Sequence, residues 1–133
     1  MKWYRWLLLV VVLSVILSLH TSPAYATFPP SVEKWRPIVT ERLKWWHAYY
    51  HQRFVYNDVS VALYIMLRES GGNRFAVNPS SGAAGLYQWL PMWWRARGYP
   101  VFDGRWNIGY MAKYHAYNQS LHRNPWGAWL WYH

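Results

Sequence analysis

The sequence predicts a small, mainly α-helical domain with at most a vestigial β-hairpin, preceded by an N-terminal signal peptide. Three observations predict it. Apolar residues recur at three- and four-residue spacing over two segments, 38–56 and 59–69. Residues 78–85 read Asn-Pro-Ser-Ser-Gly-Ala-Ala-Gly, too rich in turn formers for a strand of any length. Residues 1–26 place a basic start before an apolar run and a small-x-small end.

Taken in order, residues 1–26 read as the signal peptide. Lys2 and Arg5 supply its charge, residues 7–19 are apolar apart from Ser14 and Ser18, and Ala24-Tyr25-Ala26 supplies a site for cleavage after Ala26. The apolar run is shorter than the roughly 20 residues that span a bilayer. The competing reading is an uncleaved anchor, and both put the remainder outside the cytoplasm, secreted or on the periplasmic or cell-wall side. Residues 27–57 follow as a leader and a helix that packs on the domain. Residues 27–33, with Pro29-Pro30, read as extended. Pro37 suits a first helical turn. Ile38, Leu43, Trp46, Tyr49, Tyr50 and Phe54 then mark the inner face of a helix reaching about Tyr56. Asn57-Asp58 breaks the pattern, and Asp58 is read as an N-cap whose carboxylate accepts free backbone N–H groups of the next helix.

Residues 58–133 form the principal domain. Val59, Ala62, Leu63 and Met66 line one face of the helix over 59–69. Glu69 continues that face, and Gly71-Gly72 ends the helix. An acid on an apolar face is out of place, because Glu is seldom buried without a partner or a purpose. Residues 86–90 turn into Pro91, residues 92–97 form a further helix stopped by Gly98, and residues 100–105 are a loop. Asn107 is read as the cap of a helix running to about Ser120. A connector over 122–125 leads to a short terminal helix or coil over 126–133.

The formal charge is +9, and +7 once Lys2 and Arg5 are removed with residues 1–26. Such a surface attracts polyanions. An exported protein does not meet nucleic acid, so wall polymers and anionic membrane surfaces are the expected partners, and the domain is expected to act as a monomer. There is no cysteine, so the fold holds without disulfides. The 12 Trp and 12 Tyr bury large areas, and their rings also suit stacking on sugars. Core is the default place for each Trp. The six His lack metal-ligand spacing. His47 and His51, four residues apart, read as a surface pair with no third ligand, and no metal or cofactor is expected. No G-x-S-x-G elbow and no phosphate-binding loop is present.

Arg68-Glu69-Ser70-Gly71-Gly72-Asn73 is followed by Ala76-Val77-Asn78-Pro79 and then Gly82-Ala83-Ala84-Gly85-Leu86-Tyr87-Gln88, with Pro91 three residues on. Asn107-Ile108 and Tyr114 continue the series, and Trp126 and Trp129 close it as W-x-x-W. In this order and spacing the chain resembles the soluble lytic transglycosylase domain of the lysozyme-like superfamily, over about residues 59–131. Tyr87 stands where that family usually has Met, and Met111 where it usually has Gly. Ala116-Tyr117-Asn118 repeats letters of a further family signature but sits too early to be it. The resemblance implies a lysozyme-like transglycosylase domain over 58–133, with peptidoglycan glycan strands as substrate and Glu69 as catalytic acid. It implies substrate-binding positions at Asn78, Gly85, Tyr87, Gln88 and Tyr114. Asn78 would face the N-acetyl region, Gln88 would line the cleft, and Gly85 would allow close backbone approach. Tyr114 or Tyr132 would be the tyrosine beside the acid.

The chemistry of the residues agrees. Breaking a glycosidic bond needs a proton on the departing sugar oxygen. A carboxyl supplies it at neutral pH when apolar surroundings raise its pKa above the ordinary value of about 4.3. Glu69 is the acid placed for this, against the alternative of a structural pair with Arg68 or Arg74. Glu33 and Glu41 have no motif, Asp58 reads as a cap and Asp103 as a turn acid. A lone acid matches what the resemblance implies. One Glu acts as acid and then as base on the MurNAc-β-1,4-GlcNAc bond, leaving a 1,6-anhydro-MurNAc end without water. A muramidase hydrolysing the same bond is the alternative, strengthened if Asp103 faces Glu69. An idle wall-binding module and a membrane-tethered structural protein are the remaining readings.

Overall fold

The computed structural model describes residues 26–130. Among the described residues the helical segments are α1 (Pro30–Glu33), α2 (Arg36–Tyr49), α3 (Asn57–Ser70), α4 (Pro91–Trp94), α5 (Gly104–Ser120) and α6 (Gly127–Leu130). They contain no strand. The vestigial hairpin is reduced to isolated bridges, Val77 to Ala84 and Ala84 to Trp89. No described helix is long and apolar enough to cross a membrane. The expected signal peptide lies, but for Ala26, outside the described residues, as does Tyr132.

Residues 30–33 form a helical turn and not the extended leader that Pro29-Pro30 suggests. Pro30 sits at the first helical position, where its fixed φ is already helical. Glu33 then fastens the turn. It accepts the Phe28 N–H at 2.9 Å and both Nε and Nη2 of Arg36 at 2.7 Å. The Arg36 guanidinium holds the Glu33 carboxyl below its ordinary pKa. Val32 is buried, and α1 packs on α3.

Helix α2 begins as expected, with Pro37 in its first turn, but ends at Tyr49 and not near Tyr56. The chain reverses through His51 at φ 54°. Its inner face is Val39, Leu43 and His47, four residues apart. Of the expected face, Leu43 is buried and Ile38, Trp46 and Phe54 pack half-buried against the core, whereas Tyr49 is 60 % exposed and stacks on exposed Trp45 at 5.6 Å. His47 and His51 are therefore not a surface pair. His47 is fully buried, and its Nδ1–H donates to the Leu43 carbonyl at 2.6 Å.

Helix α3 carries the expected face. Val59, Ala62, Leu63 and Met66 are buried, and Gly71 closes the helix at φ 61° with its N–H on the Leu67 carbonyl. Asp58 is not its cap. It sits inside the first turn, with Tyr56 in the cap position making no side-chain cap bond. Asp58 instead points at α2 and α5. Its Oδ2 is 4.0 Å from His47 Nε2 and its Oδ1 is 3.7 Å from His115 Nε2.

Helix α4 is shorter than expected, a single turn. Helix α5 is capped by Asp103, which accepts the Trp106 N–H at 2.8 Å, and not by Asn107, which lies buried inside the helix. Helix α2 packs along α5, whose Ile108, Met111 and Ala112 join the α3 face in one core.

His115 is 1 % exposed, and burial together with the charge of His47 lowers its pKa from 6.5 to about 3. In the unfolded chain a histidine protonates below 6.5, whereas folded His115 stays neutral until about 3. The unfolded state thus binds the extra proton, and stability falls as pH drops through that window. Burial raises the Asp58 carboxyl, so protonation of Asp58 in the fold returns part of the loss at the acid end. The urea midpoint should fall as pH drops below about 6.5 and fall most steeply at about pH 5, where the unfolded histidine is protonated and folded His115 is not. In His115→Leu that fall should flatten, and an unchanged slope would refute the assignment.

Candidate active site

The end of α3 and the loop 83–90 build the site together. Glu69 is half-buried in the last turn of α3. Next to it, the Ser70 hydroxyl lies 2.8 Å from the Leu86 carbonyl and 3.2 Å from that of Met66. This Ser fixes the loop against the helix end that presents the acid.

The loop is held from behind by α5. Asn107 is fully buried, its Nδ2 donates to the Val101 carbonyl at 2.7 Å and its Oδ1 accepts the Tyr87 N–H at 3.0 Å. Gly85 sits at φ 81°, and a Cβ there would collide with the Asn107 amide and the Val101 carbonyl. The close approach that Gly85 permits is thus to its own protein.

Tyr87 is 1 % exposed. Its hydroxyl donates to the Ala62 carbonyl at 3.1 Å, and its own carbonyl accepts the Trp129 indole N–H at 3.1 Å. Burial pushes the Tyr87 phenol well above its ordinary pKa, so it remains a donor. Gln88 has φ 52°, and its side-chain amide donates to the carbonyls of Ala76 and Gly85 at 3.1 and 3.0 Å. Asn78 Oδ1 accepts from the backbone and hydroxyl of Ser80 and from Ser81 N–H, ordering the turn over 78–82.

These pieces enclose a cleft of about 530 Å³. Of the residues singled out from sequence, Glu69, Asn78, Tyr87, Gln88 and Tyr114 line it, and Gly85 does not. Trp89, Trp93 and Trp129 also line it. Sequence reasoning assigned tryptophans to the core by default, and only the W-x-x-W spacing marked Trp129. Trp129 and Tyr114 meet edge to face at 5.6 Å, and Trp89 and Trp129 at 5.3 Å, so the aromatic wall is one packed unit. Among the described residues Glu69 is the acid on this wall. Glu33 binds Arg36, Glu41 lies 3.4 Å from Arg105, Asp58 faces the two histidines and Asp103 caps α5. Asp103 therefore does not serve as a second acid in the cleft. Part of the basic charge gathers apart from it, where Arg42, Arg105 and Lys113 border a groove of about 360 Å³ with Trp46 and Trp106.

A helical domain with one carboxyl set in an aromatic-walled, amide-bearing cleft is suited to holding a polar ring and moving a proton on it. The chain is similar over 30 residues, at 67 % identity, to the "Probable transglycosylase SceD" of Staphylococcus aureus, in strains Newman and USA300 alike. That stretch is 23 % of this chain and spans only 13 % of the staphylococcal proteins' length. No protein-family model and no solved structure matches the chain.

Replacing Asn107 by Ala would strand the Tyr87 N–H and the Val101 carbonyl without partners. The expected loss of stability is about 3 kcal/mol, as each stranded buried group costs roughly 1–3 kcal/mol. Denaturant unfolding of Asn107→Ala measures it, and a change below about 1 kcal/mol would show that the amide does not hold the loop.

Proposed function

We propose that this chain is a secreted peptidoglycan lytic transglycosylase that cleaves the MurNAc-β-1,4-GlcNAc bond, with Glu69 as its single acid and base. The observation that carries this reading is the position of Glu69 as the acid on the wall of an aromatic cleft, the other four acids lying outside its lining. The short stretch shared with a probable transglycosylase supports it. Secretion rests on the pattern of residues 1–26. In this reading residues 58–133 are the lysozyme-like catalytic domain, and residues 27–57 pack on it.

The Glu69 carboxyl gives its proton to the bridging oxygen as the bond from that oxygen to C1 of MurNAc breaks, releasing the GlcNAc hydroxyl. Charge developing at C1 is met by the sugar's own N-acetyl group, so no second protein carboxylate is required. The Glu69 carboxylate then takes the proton of the C6 hydroxyl, whose oxygen closes on C1 to give the 1,6-anhydro ring. Asn78 and Gln88 offer amides to the sugar, and the tryptophans and Tyr114 offer faces that keep water from C1.

Digestion of purified peptidoglycan, with products weighed by mass spectrometry, tests the reading. Anhydro ends are expected from the wild-type protein, with the rate in Glu69→Gln lower by about 10²–10⁴-fold. Equal yields from Glu69→Gln would exclude Glu69. Reducing ends would make the protein a muramidase, and no product from either protein would leave a binding module.

Trp93 is 39 % exposed on the cleft wall. Trp93→Ala should raise KM by about 3–10-fold with kcat little changed, since one aromatic contact contributes roughly 1 kcal/mol. Steady-state turnover of soluble glycan fragments measures this.

A further inference from the structure

The junction of α2, α3 and α5 holds a group of side chains that the cleft does not use. We propose that His47, Asp58 and His115 bind a divalent transition-metal ion of the zinc class that ties these three helices together. One ligand atom from each lies within 4.8 Å of the others. Two imidazoles and a carboxylate, with no thiolate, are a donor set for zinc and its neighbours. Bonds of about 2.0–2.2 Å around a tetrahedral ion put donors roughly 3.4 Å apart. The gaps from the two Asp58 oxygens to the imidazoles are 4.0 Å and 3.7 Å and no separation in the group exceeds 4.8 Å, so the side chains would close by about 0.3–1.4 Å to reach that spacing.

The hydrogen-bonding state of the two rings supports coordination. His47 donates Nδ1–H to the Leu43 carbonyl, which leaves the Nε2 lone pair directed at Asp58 and at Gln119 Oε1, 3.0 Å away. A carbonyl-anchored Nδ1–H is the usual arrangement of a histidine that ligates metal through Nε2. His115 is 1 % exposed, and neither ring nitrogen has a hydrogen-bond partner among the described residues. A buried, unbonded imidazole carries a desolvation cost that metal coordination would offset. Asp58, the least buried of the three, provides the side from which an ion enters.

The site is structural and not part of the glycan chemistry. Asp58 precedes Glu69 by eleven residues on α3, about 16 Å along the axis. A metal there would perform the cross-linking that a chain without cysteine cannot obtain from disulfides.

The test uses the full chain without a polyhistidine tag, stripped with a chelator and titrated with zinc against a chromogenic chelator. One zinc per chain is expected, with a rise in Tm of about 10 °C at a hundredfold excess over Kd. Asp58→Asn and His115→Gln should each weaken zinc by more than about 100-fold while retaining the helical circular dichroism of the wild type. His51→Ala, altering an exposed histidine away from the junction, should leave affinity unchanged. A folded wild-type chain that binds no zinc at millimolar concentration would overturn the proposal. So would zinc affinity retained in both ligand variants, or lost in His51→Ala. None of these outcomes depends on whether the protein cleaves glycan.

Discussion

The carboxamide of Asn107 satisfies two backbone groups that neither helix nor strand reaches, the Val101 carbonyl and the Tyr87 N–H. It belongs to a wider constraint. Residues 83–87 and Trp89 are buried, yet the described residues contain no strand to pair their backbone. Buried N–H and C=O groups must find partners. Isolated bridges and turns pair the Ala83 carbonyl, both groups of Ala84 and Trp89 and the Gly85 N–H, and side chains supply others: Asn107 to the Tyr87 N–H, Ser70 to the Leu86 carbonyl and Trp129 to that of Tyr87. Polar tips on buried or half-buried side chains thus extend what the bridges begin, and the irregular wall they hold is the floor of the cleft.

This explains which parts were legible in the sequence. Helix α3 was, because four apolar residues at helical spacing and a left-handed Gly leave little freedom, and Glu69 follows from that register. The end of α2 was not, because Tyr49 has the spacing of a core face while stacking on Trp45 in solvent, and the apolar spacing runs on past the helix to Phe54. Asp58 and Asn107 both stand where a cap would, near a helix start, and were misread for that reason. Their side chains answer to groups distant in the chain, His115 for one and Tyr87 for the other. Trp89 and Trp129 were not separable from the tryptophans of the core, since they are as buried as those and only the shape of the loop opens one side.

The segment closing on α6 ties together two regions that α3 and α5 already share, α3 through Asp58 and Glu69 and α5 through His115 and Tyr114. Trp126 lies against His115, ring centroids 4.1 Å apart, and Trp129 reaches Trp89, Tyr114 and the Tyr87 carbonyl. The closing W-x-x-W therefore touches the three-helix junction at one residue and the cleft at the other. Order at the junction and shape at the cleft are thus coupled through the closing segment as well as along α3 and α5.

Gln88 combines a left-handed backbone with a side chain fastened at two carbonyls. That conformation costs roughly 1–2 kcal/mol for any residue with a Cβ. A glycine would remove the strain and with it the amide that draws 76 and 85 together. At roughly 0.5–1.5 kcal/mol each, the two hydrogen bonds offset that strain, so the turn and the amide hold one another in place.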